Sequence, residues 1–247
     1  IILLASDCES SRWVYHALKE AAGIEAVILE QPVSKKELAK NRIKKTGFVP
    51  VMGQVLFSAL VVPLLKLQSQ KRKTYLVSKY GLNSSAINSS KIYRVNSAND
   101  EGSLKAIQLL QPDIIVVNGT RIISKKILQS TNAIFVNMHV GITPYYRGSH
   151  GGYWALRNKD AGNFGTTIHL IDAGIDTGAV IKQVFIKPDK PDNFAAYPVL
   201  QASVGIDALK EVLTNMEAGN YKTIKNSEKG NMYYQPTLWQ YLTGGVR

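Results

Sequence analysis

The run Ile114-Ile-Val-Val117 restricts the fold more than any other stretch. Four β-branched residues in a row leave no polar face for water. A strand of this kind is covered on both sides, as in a parallel sheet flanked by helices. Its surroundings repeat the theme. Ile1–Ser6, Ile24–Leu29 and Ala133–Val140 read as further strands, with weaker ones at Thr74–Val77 and Lys91–Val95. Ser10–Ala22, Ser34–Lys45 and Glu101–Leu110 read as helices between them, and Ser124–Leu128 as a short one. Ser10 or Ser11 is placed to cap the first helix. This rhythm predicts an α/β fold, a doubly wound, mostly parallel Rossmann-like sheet. Beyond it, Gly151–Asn158 reads as a short helix. Thr166–Ile171 and Ala179–Ile186 form a C-terminal antiparallel strand pair across Asp172–Gly178. Asn193–Ala218 is a long C-terminal helix. Residues 1–219 are expected to form one domain and residues 220–247 a tail packed on it, held by Trp239 and Tyr241.

Charge narrows the partners. The net charge is +12, and it is uneven. Residues 1–94 hold 15 Lys/Arg against 6 Asp/Glu, a net of +9; the rest hold 15 against 12, a net of +3. Such a half favours an anionic partner: a nucleotide, a phosphate, polyglutamate, tRNA or lipid headgroups. The single cysteine, Cys8, forms no internal disulfide, which points to a reducing, cytoplasmic setting. Four histidines and one cysteine show no metal-ligand spacing, so no metal is expected. Neither a P-loop nor GxGxxG occurs, so nothing argues for ATP or NAD. The apolar stretch Phe48–Leu65 is interrupted by Pro50, Gly53, Gln54 and Pro63. It is expected to be a buried or interface helix, with a homodimer as one use. Membrane contact through it, backed by Lys71-Arg-Lys73, is the disfavoured reading.

Two polar residues stand out on an apolar strand. Asn137 and His139 are two apart, so they share a face about 6.6 Å apart. They lie at the carboxyl end of their strand, where open α/β sheets place ligands. A loop, Gly141-Ile-Thr-Pro-Tyr-Tyr-Arg-Gly148, follows and can fold over them. Further on, Gly165-Thr-Thr-Ile-His-Leu-Ile-Asp-Ala-Gly-Ile-Asp-Thr-Gly178 brings Asp176 in a glycine-flanked turn. His16 and His169 read as structural.

NMH, the TPYYRG loop and GTTIHLIDAGIDTG together resemble the folate-dependent formyltransferase family, most strongly over Pro112–Gln183. That family includes the glycinamide-ribonucleotide, methionyl-tRNA and amino-sugar N-formyltransferases. The resemblance implies that residues 1–219 are a catalytic domain with a centre of Asn137, His139 and Asp176. The co-substrate would be 10-formyltetrahydrofolate, held by Arg121, Ile123, Ile171, Asp172 and Gly174. Asn137 and a protonated His139 would donate hydrogen bonds to the oxyanion, and Asp176 would favour the imidazolium and take the amine proton.

The acceptor is less constrained. The loop after the first strand lacks the glycines of glycinamide-ribonucleotide enzymes, although Ser10, Ser11 and Arg12 could hold a phosphate at a helix amino terminus. About 60 residues follow Ile186, too few for the barrel-like domain of methionyl-tRNA enzymes, so tRNA is disfavoured. Tyr146, Arg147, Gly148 and His150, with Tyr145, Tyr153 and Trp154, resemble the aromatic acceptor loops of sugar N-formyltransferases. A small anionic amine linked to a nucleotide is the favoured acceptor; glycinamide ribonucleotide is the alternative. The rival of another class is a non-catalytic module that binds folate or a nucleotide.

Overall fold

The computed structural model describes residues 1–225, 228 and 230–245, with Lys35 described in its backbone only. Positions 226, 227, 229, 246 and 247 of the expected tail lie outside the described residues. Five parallel strands form the centre: β1 (Ile2–Ser6), β2 (Ala26–Glu30), β3 (Ile92–Val95), β4 (Ile114–Asn118) and β5 (Ile134–His139). A three-residue strand, β6 (Tyr146–Gly148), follows in the loop. The chain then adds β7 (Gly165–Leu170) and β8 (Val180–Phe185), both antiparallel to their neighbours. The seven-stranded order is β3-β2-β1-β4-β5-β7-β8, and β9 (Asn231–Tyr233) pairs with β6 outside it. The expected doubly wound sheet, with its antiparallel pair, is therefore present.

The helices are α1 (Glu9–Ala21), α2 (Lys35–Thr46), α3 (Phe48–Leu56), α4 (Val62–Lys79), α5 (Glu101–Leu110), α6 (Lys125–Leu128), α7 (Gly151–Arg157), α8 (Tyr197–Glu217) and α9 (Leu238–Leu242). All-apolar strands are explained by cover on both faces. Leu3, Ala5, Val27, Leu29, Val116 and Val136 pack with Trp13, Val14 and Leu18 of α1 and with Leu209 and Leu213 of α8. Their alternates Ile2, Leu4, Ile28, Ile115 and Val117 pack with Ala106 and Ile107 of α5 and Ile127 of α6.

Three expectations are corrected. Thr74–Val77 is not a strand: it lies inside α4, where Leu65, Ser69 and Leu76 recur at helical spacing and are buried. Tertiary packing overrides the β-propensity of that short run. Neither Ser10 nor Ser11 caps α1; the position before the helix is Cys8, which makes no side-chain cap. Last, Phe48–Leu65, expected as a buried or interface helix, is helical, and only the buried alternative is set aside. One face holds Val51, Phe57 and Leu65 against the body, while Phe48, Val49, Val55 and Leu60 are exposed.

A π-turn, Phe57–Val61, joins α3 to α4, and the Val62 N–H reaches back to the Phe57 carbonyl. Pro63 has no amide hydrogen to donate, and the wider turn before it carries the helix past that gap. The tail closes over this segment. A capping box at Thr237 and Gln240 starts α9, which packs on α3 and the π-turn. The Tyr241 ring lies 4.9 Å from that of Phe57.

Candidate active site

The antiparallel register of β5 and β7 builds the site. It sets Asn137 opposite His169 and His139 opposite Thr167. Asn137 Nδ2 lies 3.1 Å from His169 Nε2. The turn after β7 brings Asp176 back onto the same face. Its Oδ2 stands 3.5 Å from His139 Nδ1, and its Oδ1 stands 3.7 Å from His169 Nε2. Asp176 has a left-handed backbone, φ 51°, which Asp tolerates better than most residues. Its Oδ2 also accepts the Gly148 N–H at 2.8 Å. The loop after β5 is thereby tied to the turn after β7. Close packing fixes that loop: a Cβ on Gly141 would run into the His139 ring and the Tyr146 carbonyl.

Hydrogen bonds assign the tautomers. His139 Nε2 lies 2.8 Å from the Tyr146 carbonyl. A carbonyl only accepts, so Nε2 carries the hydrogen and Nδ1 turns to Asp176. His169 Nδ1 likewise donates to the Leu170 carbonyl at 2.7 Å. Its Nε2 then accepts from Asn137, leaving the second amide hydrogen of Asn137 for the cavity. Burial pushes the His139 imidazole below its ordinary range; Asp176 and the Tyr146 carbonyl oppose this without reversing it. Desolvation thus outweighs the neighbouring carboxylate and disfavours, in the free protein, the protonated His139 that the resemblance implies. Burial pushes the Asp176 carboxyl up. The neighbouring His169 and His139 rings and the Gly148 N–H together outweigh it and hold the group at about 2. Asp176 is thus a carboxylate facing the lone pair of a neutral ring, and a proton entering the site would bind between them.

Two cavities meet at this cluster. The first, about 520 Å³, is lined by Asn137, His139, His169 and Asp176. Ser10, Arg121, Ile123, Ile171, Asp172 and Gly174 also border it. The second, about 530 Å³, shares Arg121, Ile122, Ile175 and Asp176 with the first and adds Gly148, Arg42, Lys45, Tyr233 and Tyr234. Both have the size of a small-molecule site.

Several expected contacts lie elsewhere. Arg121 borders both cavities, yet its guanidinium is engaged with the buried Glu30 at 2.8 Å and the carbonyls of Gln31 and Asn96, so it clamps three strand ends together. Ser11 is buried under Asn118, whose Nδ2 it meets at 2.9 Å. Arg12 pairs with Asp7 at 3.0 Å on the surface. Of the expected phosphate group, only Ser10 reaches the cavity. The Tyr146 side chain is buried, donates to Asp160 at 2.8 Å and stacks on Tyr233. Arg147 donates to the Gly230 carbonyl at 2.6 Å. His150 packs its ring 4.4 Å from that of Phe194. Tyr153 and Trp154 are buried too. These aromatics anchor the loop, because the chain that follows α8 returns over it and covers them.

Other lining residues were not anticipated. Arg42 and Lys45 come from α2, and Tyr233 and Tyr234 from the tail. The basic composition of α2 was visible, but no local pattern connects it to a strand end about a hundred residues away. His169 read as structural. Its even spacing in the strand was legible, whereas its register against Asn137 was not.

A methionyl-tRNA formyltransferase of Clostridioides difficile is 30% identical over 140 residues, covering 56% of this chain and 45% of that enzyme. The chain thus spans a little under half the length of that curated relative. The N-formyltransferase of Helicobacter canadensis, solved with folinic acid and dTDP-3-aminofucose, superposes with a TM-score of 0.56 at 15% identity. That match covers 94% of this chain and 70% of the other. The phosphoribosylglycinamide formyltransferase of Streptococcus pneumoniae gives 0.55 at 18% identity, covering 87% and 98%. At these identities the structures show a shared fold. The formyl transferase family model matches residues 20–196, the span that holds β5, β7 and Asn137, His139, His169 and Asp176. The chain belongs to the formyl transferase family.

Proposed function

We propose that this protein moves a formyl group from 10-formyltetrahydrofolate to a primary amine, and that the amine is carried by a nucleotide-linked amino sugar. The observation that carries the reading is the meeting of Asn137, His139 and Asp176 at one wall of a cavity open to ligands. That cavity also suits a flat heterocycle. Ile123 and Ile171 supply an apolar slot, and the Asp172–Asp176 turn supplies backbone polar groups beside it. Bound folate would supply an activated formyl carbon.

The chain's own residues do the rest. The free N–H of Asn137 donates to the formyl oxygen as it gains charge. The attacking amine loses a proton, which Asp176 accepts directly or through water. Neutral His139 shares that proton through Nδ1, and the resulting imidazolium is stabilised by the carboxylate 3.5 Å away. The same proton is then available to the folate N10 as its bond to the formyl carbon breaks, so that tetrahydrofolate leaves as the neutral amine. His169 holds the Asn137 amide in orientation by accepting one of its hydrogens. In the second cavity Arg42 and Lys45 offer positive charge to the anionic end of a reactant, and Tyr233 and Tyr234 offer ring faces. The amino-sugar reading draws support from the Helicobacter enzyme, whose complex holds such a substrate. The Clostridioides relative keeps methionyl-tRNA as the competing acceptor.

The test follows tetrahydrofolate release from 10-formyltetrahydrofolate with three acceptor classes: nucleotide-linked amino sugars, glycinamide ribonucleotide and methionyl-tRNA. Release with an amino sugar alone supports the full reading. Release with only one of the others keeps formyl transfer and removes the sugar. Folate binding without release on any acceptor would make the protein a binding module.

A further inference from the structure

The helix from Phe48 to Lys79 runs unbroken through the π-turn, and its two faces differ sharply. The inner face, with Val51, Phe57, Leu65 and Leu76, is buried against the body. The outer face is apolar and bare. Phe48 is 60% exposed, Val55 56%, Leu60 56%, Leu64 60% and Leu67 71%, with Val49, Met52 and Leu56 between them. These positions recur every three or four residues, so they form one stripe about 29 Å long. Eight large apolar side chains in a continuous line are not the scattered hydrophobics that any surface shows.

Charge says what covers the stripe. The 20 residues between Lys45 and Lys66 carry no charged side chain. From Leu38 to Asn99 the chain has no Asp or Glu and 11 Lys/Arg. Three of those cations are paired elsewhere: Arg72 with Asp189 and Asp192, Lys73 with Glu9, and Lys91 with Glu25. Lys44 and Lys45 stand exposed before the stripe, and Lys66 and Lys71 near its far end. None of these four makes an ion pair among the described residues. A twofold contact between copies would oppose one set of lysines to another. An anionic surface would satisfy both ends at once.

We propose that this face seats on an anionic lipid bilayer. The helix lies in the plane of the interface rather than across it. Its inner face is held by Phe57 and Leu65 in the core, and Gly53 is closed over by the Trp239 ring, so a span would require unpacking the body. Phe48, Met52, Val55, Leu60, Leu64 and Leu67 enter the boundary between headgroups and acyl chains, while the lysines reach the phosphates.

Vesicle co-sedimentation tests this with the full chain. Vesicles of phosphatidylcholine with phosphatidylglycerol are compared with phosphatidylcholine alone, at low and high salt. The protein is expected to sediment with the anionic vesicles and to be released by salt. Leu60→Glu with Leu64→Glu, and separately Lys66→Glu with Lys71→Glu, should each weaken partitioning at least about tenfold. Both sites are exposed, and an unchanged melting temperature verifies that each variant folds. Wild-type protein that stays in solution with anionic vesicles overturns the proposal, as does a folded Leu60/Leu64 variant that sediments normally. A soluble dimer that this variant splits, without vesicle binding, would assign the stripe to a second copy and equally overturn it.

Discussion

Asn137 and His169 meet at 3.1 Å across the antiparallel pair of β5 and β7, although 32 residues separate them in the chain. The contact fixes which amide hydrogen of Asn137 is left for the cavity. In the proposed mechanism it gives His169 a positioning role.

Replacing Asn137 by Ala removes the donor and frees the His169 ring. Losing one oxyanion donor costs about 2.7–4 kcal/mol in the transition state. Formyl transfer by Asn137→Ala should therefore fall at least about 100-fold. Steady-state kinetics with the best acceptor from the panel check this. Wild-type turnover would remove Asn137 from the mechanism.

Asp176→Asn keeps the shape and loses the charge. Transfer should again drop at least about 100-fold. Stability should change with pH as well. The Asp176 carboxyl is held at about 2 in the folded protein, below the ordinary range of an aspartate. Its contribution is complete above pH ~4 and disappears as the pH falls through about 2. Urea melts at pH 4 and pH 2 should show a smaller difference for Asp176→Asn than for wild type.

His150 predicts a second window at milder acidity. Burial, with the nearby charge of Arg42, pushes its imidazole down to about 4. The unfolded ring takes its proton near pH 6.5, so the unfolded state binds more protons below that value. Stability should decline as the pH drops from about 6.5 to about 4, by up to roughly 3 kcal/mol. Asn tolerates the left-handed backbone of this position, φ 59°. His150→Asn should therefore flatten the decline in a pH series of urea melts.

Arg72 tests a structural ion pair. Its guanidinium reaches the fully buried Asp192 carboxylate at 2.7 Å and the exposed Asp189 at 2.6 Å. Removing one partner of a buried pair leaves a stranded charge, at about 3–5 kcal/mol. Arg72→Ala should lower stability by that order in a chemical melt, and Asp189→Ala by about 1 kcal/mol or less.

In the second cavity, Arg42→Ala should raise one KM with little effect on kcat, because Arg42 lies away from the Asn137 cluster. The reactant whose KM moves is the one that places its anionic end there. An unchanged KM for both would remove Arg42 from binding.

Much of this was legible because the relevant physics is local. Ile114–Val117 is apolar on both faces wherever it sits, so a covered sheet follows. Asn137 and His139 share a face by the geometry of any strand. What escaped depends on partners far along the chain. Thr74–Val77 has strand-like residues, and only the packing of Leu65 and Leu76 against the body makes it helix. Arg121 borders both cavities, but the tie of its guanidinium to Glu30, 91 positions earlier, could not be read from the sequence. Tyr146, Tyr153 and Trp154 looked like a stacking surface, and the returning tail turned them into loop anchors. The apolar composition of Phe48–Leu65 was plain, but composition does not reveal which side is left uncovered.

The left-handed turn at Asp176 also restricts which sequences this position can accept. Only glycine, asparagine and aspartate enter that backbone region with little penalty. Glutamate, the nearest chemical relative, is therefore a poor substitute in shape before its longer reach even matters. A randomised library at this codon, sorted for folding and blind to turnover, should return glycine and asparagine well ahead of glutamate or alanine.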